Sequence, residues 1–178
     1  MQKTTERAPA GLLRGARGGR GRLASEGVPA RQPDPARLLA AVNAQRAALG
    51  QPPWDGPATA PALGLAAVTA VLAATDAGAD PVRDANRAAV RYLLDALAER
   101  APGRAVEVRV PPFAAVQCLA GPRHTRGTPP NVVETDPATW LALATGRLGW
   151  DEAVAAGRVR ASGPRSNISF YLPLARRA

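Results

Sequence analysis

The sequence predicts a domain that mixes helices with short strands, and three observations carry that reading. Asp-Pro pairs at Asp34-Pro35, Asp80-Pro81 and Asp136-Pro137 each set a capping carboxylate before a proline suited to the first helical position. Ala105–Val110 alternates apolar and charged residues strictly, as a half-buried strand does. Gly50, Gly146 and Gly157 fall where apolar-periodic stretches end.

Residues 1–33 come first and have no apolar period. They hold seven basic and two acidic residues, five of the nine net positive charges of the chain. A segment this rich in Gly, Arg, Pro and Ser buries too little surface to offset its backbone entropy, so it is expected to be a disordered basic leader. Arg14–Arg22 (RGARGGRGR) could be read as an arginine-glycine nucleic-acid tail, but no aromatic is interleaved for base stacking. The remaining residues are only mildly basic, and nucleic acid is not the expected partner.

Residues 34–78 form an expected N-terminal helical hairpin. After Asp34-Pro35, Leu38, Leu39, Val42 and Leu49 recur at helical spacing and Gly50 stops the helix. Gln51–Pro57 is a rigid connector, and a second helix is predicted over Pro61–Ala74. Gly56–Thr75 carries no charge. Its prolines, glycines and many alanines, and the length of its best part, suit a buried helix better than a membrane span.

The main domain is placed at 79–175. Asp80-Pro81 is read as the start of a helix with Val82, Ala85, Ala89, Leu93, Ala96 and Leu97 on one stripe and Arg83, Asp84, Arg87, Arg91, Asp95 and Glu99 largely opposite. Pro102-Gly103 ends it. The strand Ala105–Val110 turns Val106, Val108 and Val110 to one side, with Glu107 and Arg109 on the other as cross-strand ion-pair partners. Ala114–Ala120 reads as a second strand, with Val116 and Cys118 on one face. Gly121–Pro130 is a loop by its glycine and proline content. Asn131–Glu134 is a third strand. Asp136-Pro137 starts a helix with Trp140, Leu141 and Ala144 inward and Gly146 at its end. Asp151-Glu152 gives a weaker cap for a short helix over Asp151–Ala156. Arg158–Ala161 alternates as a fourth strand, Gly163-Pro164 turns the chain, and Ile168–Leu174 is apolar.

The series Asp136, Trp140-Leu141, Leu143, Gly146, Leu148, Ala153, Gly157, Arg158–Ser162, Gly163 and Ile168–Leu174 resembles the C-terminal half of the sterol carrier protein family. The preceding block looks like that family's bacterial orthologue branch found in actinobacteria, and the likeness spans about Asp80 to Leu174. Two departures are Gly163-Pro164, where the family has a glycine–aspartate pair, and the proline-rich loop Gly121–Pro130, where it has a longer hairpin. The resemblance implies an α+β domain, with a small twisted, mostly antiparallel sheet covered on one face by helices. It further implies a non-catalytic protein with no cofactor, holding a lipid, sterol or acyl ligand in an apolar cavity between sheet and helices. Val106, Val108, Val116, Trp140, Leu141, Ile168, Phe170 and Leu174 would bound that cavity, and Arg123, His124 and Arg126 would meet an anionic headgroup. The alternative is a protein-interaction or dimerisation module of the same fold, and a homodimer is a partner state to test.

Chemistry is scarce. Cys118 is the only cysteine and His124 the only histidine, so no intrachain disulfide and no Cys/His zinc site can form. The pair could be a nucleophile and base, with Glu134 or Asp136 orienting the histidine, but a cysteine flanked by apolar residues reads more simply as a small buried hydrophobe. One cysteine also suits a reducing cytoplasm, the expected location.

Overall fold

The computed structural model describes residues 34–121 and 130–175. The expected leader over 1–33 and residues 122–129 of the expected loop lie outside them.

The first helix, α1, spans Pro35–Ala48; Asp34 Oδ1 accepts from the Ala36 N–H at 3.0 Å, as the Asp-Pro signal predicts. The second, α2, spans Ala60–Asp76. It starts one residue earlier than expected because Thr59, rather than the connector, supplies the cap. The Thr59 hydroxyl oxygen accepts from the Ala62 N–H at 3.4 Å. It packs against both α1 and the third helix, which is why its whole central run is apolar. At Gly64 the third helix lays the Tyr92 ring directly on the backbone, where an added Cβ would sit 2.3 Å from Cδ2. Among the described residues no helix is long and apolar enough to cross a membrane.

The third helix, α3, spans Arg83–Arg100, and its start corrects the sequence reading. Asp80-Pro81 lies before the helix, and the N-cap residue is Val82, which offers no side-chain bond. The Val82 N–H instead donates to Oε1 of Gln45, a buried side chain of α1, at 2.7 Å. A tertiary contact across 37 residues replaces the local cap. The buried face is also wider than the expected stripe. Ala88, Val90 and Leu94 are buried along with Ala85, Ala89, Leu93 and Leu97, because α3 packs on helices as well as on the sheet.

Four strands follow: β1 Val106–Val110, β2 Ala114–Cys118, β3 Val132–Thr135 and β4 Val159–Ser162. Their order is β2-β1-β3-β4. The β1–β2 and β3–β4 pairs are antiparallel and the β1–β3 pair is parallel. β2 stops at Cys118 rather than running to Ala120, since Leu119 takes a positive φ of 61° and donates its N–H to the Ala101 carbonyl. Glu107 and Arg109 are paired along β1 itself, Nε to Oε1 at 2.6 Å, and not across strands.

Between β3 and β4 lie α4, Pro137–Ala144, and α5, Trp150–Ala155. Asp136 caps α4 as predicted, accepting from the Thr139 N–H at 2.9 Å and from the Thr139 hydroxyl at 2.6 Å. The N-cap of α5 is Gly149; Asp151 and Glu152 sit inside its first turn, where acidic groups favour the helix dipole without closing a cap. After β4 the chain runs through Gly163 and a single 3₁₀ turn, Ser169–Tyr171. The described fold is α+β, five helices with an open four-stranded mixed sheet whose pairings are mostly antiparallel. One buried cluster joins Val42 of α1, Leu63 of α2 and Leu93 of α3 to Val108, Val133, Trp140, Val159 and Ile168.

Candidate functional site

The residues expected to bound a ligand come from four places. Val106 and Val108 point off the inner face of β1 and are fully covered. Val116, opposite Val108 in the antiparallel register, is half-buried at the sheet edge. Trp140 and Leu141 stand on α4, inward because Asp136 and Pro137 fix where that helix begins. Ile168 is buried beyond β4, and Leu174 is half-buried, held by its N–H bond to the Ala144 carbonyl at 2.8 Å. These seven belong to, or pack on, one apolar cluster. Phe170 stands apart, 91% exposed, because the 3₁₀ turn points it into solvent. Arg123, His124 and Arg126 lie outside the described residues.

One atom in this cluster is out of place. Trp140 is 0% exposed, and its indole N–H meets no acceptor among the described residues. A buried donor left without a partner costs about 1–3 kcal/mol, so it marks a point where an oxygen would be welcome.

Two surface clefts stand out among the described residues. The first, about 420 Å³, lies between the end of α2, the turn into α3, and α4. Val71, Leu72, Pro81, Ala138, Leu141 and Ala142 form its apolar wall. Leu141 is the one expected wall residue that reaches it. The second, about 380 Å³, lies between α2 and the connector and is walled by Trp54 and Leu65. The sequence reading missed both Asn86 and Arg158 at the first cleft. Asn86 could have been found: it follows Val82 by four residues and precedes Ala89 by three, a polar residue set in the apolar stripe. Nothing local marks Arg158.

Of the described candidates for chemistry, Cys118 is buried and Asp136 serves as a helix cap. Burial pushes the Cys118 thiol up to about 11, so the thiolate that nucleophilic attack requires is scarce at neutral pH. Partial burial pushes the Asp136 carboxyl upward. The two Thr139 hydrogen bonds and the charge of Arg158 outweigh that and hold it below the usual carboxylate range. Its bonds close the end of α4, a structural task. Among the described residues no group of His, Cys, Asp and Glu side chains could hold a metal ion.

The described residues thus form an α+β domain with an apolar interior and a buried thiol. Residues 82–174 match the model of the bacterial SCP ortholog family, and the chain belongs to that family. No curated protein matches the chain.

Proposed function

We propose that this chain is a non-catalytic carrier of an apolar, lipid-like ligand, acting in the cytoplasm. Residues 79–175 form the carrier domain and 34–78 a helical cover. The ligand lies between sheet and helices, against Val106, Val108, Val116, Trp140, Leu141, Ile168 and Leu174. Family membership supports the reading, and the observation that carries it is the buried, unpartnered indole N–H of Trp140 among those side chains. A ligand hydroxyl or carbonyl oxygen would take that hydrogen bond, while the acyl or ring carbons gain about 0.8 kcal/mol for each buried CH₂.

The test is uptake by the delipidated full-length chain of a long-chain acyl ligand and of a sterol, followed by native mass spectrometry and titration. One of the two binds at one-to-one stoichiometry, and Trp140→Phe, which keeps an aromatic ring and removes the donor, weakens it about fivefold. Failure of both ligands to bind, or a turnover that disappears in Cys118→Ser, overturns the reading.

A further inference from the structure

The cleft between α2, α3 and α4 lies partly on Val71, Leu72, Thr75, Ala79 and Asp80, residues outside the 82–174 family match. We propose that it is a second binding site, for a medium-chain anionic amphiphile bearing a hydrogen-bond donor near its charge. Size sets the first limit. The cleft, about 420 Å³, has room for a chain of about ten carbons. The apolar wall of Val71, Leu72, Pro81, Ala138, Leu141 and Ala142 takes the chain.

Charge sets the second limit. Arg147, Arg158 and Asp80 are the charged side chains of the lining. Arg147 is already engaged by Asp76, Nη1 to Oδ1 at 2.7 Å and Nη2 to Oδ2 at 3.1 Å. Arg158 donates Nε–H to the Thr139 hydroxyl oxygen at 3.1 Å and acts through space on Asp136, but neither Asp136 nor Asp80 forms a direct ion pair with it among the described residues. Its outer N–H groups are therefore the place for a carboxylate, as charge-assisted bonds. Asn86 sets the third. Its Oδ1 is buried at the cleft and has no partner among the described residues, so it calls for a donor, which a hydroxyl or amide N–H beside the ligand's carboxylate supplies.

The probes are 3-hydroxydecanoate, decanoate and methyl decanoate, added to the full-length chain below their aggregation limits. Calorimetry gives the affinity and backbone amide NMR shifts give the place. The expected order is 3-hydroxydecanoate first, decanoate second and the uncharged ester last by about tenfold. Shifts should centre on Leu72, Asn86, Ala138 and Ala142. Arg158→Gln removes the preference for acid over ester, and Asn86→Ala removes the preference for the hydroxy acid over decanoate. Ala142→Leu, which fills the cleft without touching either polar group, weakens all three. The site is overturned if acid and ester bind alike, if neither acid binds, or if shifts fall only on Val106, Val108 and Ile168. That last result would place the ligand in the sheet–helix interior, sinking the second site while supporting the carrier reading. Weakened long-chain ligand uptake in Trp140→Phe with decanoate binding intact would separate the two sites in the other direction.

Discussion

The three-helix layer and the segment after β4 both bury apolar side chains, but they are held in different ways. In α1, α2 and α3 the order comes from repetition: Leu38 and Val42, Leu63, Val68 and Val71, and Leu93, Leu94 and Leu97 recur at helical spacing and close on one another. Residues 163–175 have almost no regular structure, only the 3₁₀ turn. They hang on a few polar anchors set far apart in sequence. Asn131 donates Nδ2–H to the Ala105 carbonyl at 2.7 Å and accepts the Arg165 N–H at 2.9 Å. Arg100, at the end of α3, donates to the carbonyl oxygens of Tyr171, Pro173 and Leu174. The Leu174 and Ala175 N–H groups both donate to the Ala144 carbonyl. The helical layer spreads its stability over many interchangeable contacts, whereas the C-terminal segment concentrates it in a few that cannot be exchanged.

The sharpest break of the helical side is Leu93→Ala. Leu93 is fully buried in α3, and removing its isobutyl group should cost about 3 kcal/mol through lost transfer energy and the cavity left behind. Urea unfolding monitored by circular dichroism would show it. A cost under about 1 kcal/mol would mean that the layer closes over the gap and is less tightly packed than its burial implies.

On the other side, Asn131→Ala removes both of its hydrogen bonds and strands a buried carbonyl. The expected loss is about 2 kcal/mol. The loss should also be local. Amide hydrogen exchange should quicken over 163–168 before it quickens in α3, since the anchor ties the end of β4 to the start of β1. Uniform loosening across the chain would show that the C-terminal segment is not a separate cooperative unit.

This contrast also explains what the sequence discloses. Periodicity reads directly: the strands, α1, and α4 with its Asp136 cap fall within a residue or two of where spacing puts them. The same local grammar fails at Asp80-Pro81, because the amide it should have served is taken by Gln45 from another helix. Gly163 turns the chain as expected, at a φ of +93° that favours glycine, but nothing local discloses that Pro130 and Asn131 also crowd the place of a Cβ. The aromatic residues divide likewise. Trp140 follows the α4 stripe into the core, but the apolar letters of 168–174 do not say that a 3₁₀ turn will aim Phe170 outward. The α2–α3–α4 cleft is built from pieces more than 60 residues apart, Leu72 and Ala138 among them, and no window of sequence holds them together.

Asp136 lies between the two regimes, a local cap whose charge is favoured first by its Thr139 hydrogen bonds and then, from a distance, by Arg158. Its carboxyl is held below the ordinary ~3.9 of an unfolded aspartate, so the folded state favours the ionised form. The stability this supplies is therefore complete above about pH 5 and is lost as pH falls through 4 and below. Asp136→Ala should cost about 1 kcal/mol at pH 7 through the lost cap. Asp136→Asn keeps a capping oxygen and should cost only about 0.5 kcal/mol, because the charge on this largely exposed group is screened. The gap between wild type and Asp136→Asn should close when unfolding is measured at pH 3. A gap that stays constant from pH 7 to pH 3 would mean that the ionised carboxylate adds nothing to the capping oxygen.

The smallest effect belongs to Phe170. A side chain that is 91% exposed buries too little area to matter, and Phe170→Ala should change stability by less than about 0.5 kcal/mol. The same variant bears on the carrier reading. The segment around Phe170 is held by Ile168 in the core and by bonds to Arg100 and Ala144, so Phe170 itself is not needed to place it. If the exposed position is the working one, long-chain ligand uptake is also unchanged in Phe170→Ala. A variant with unchanged stability but weakened uptake would instead put Phe170 against the ligand, and the C-terminal segment would then be the part of the molecule that moves when the ligand binds.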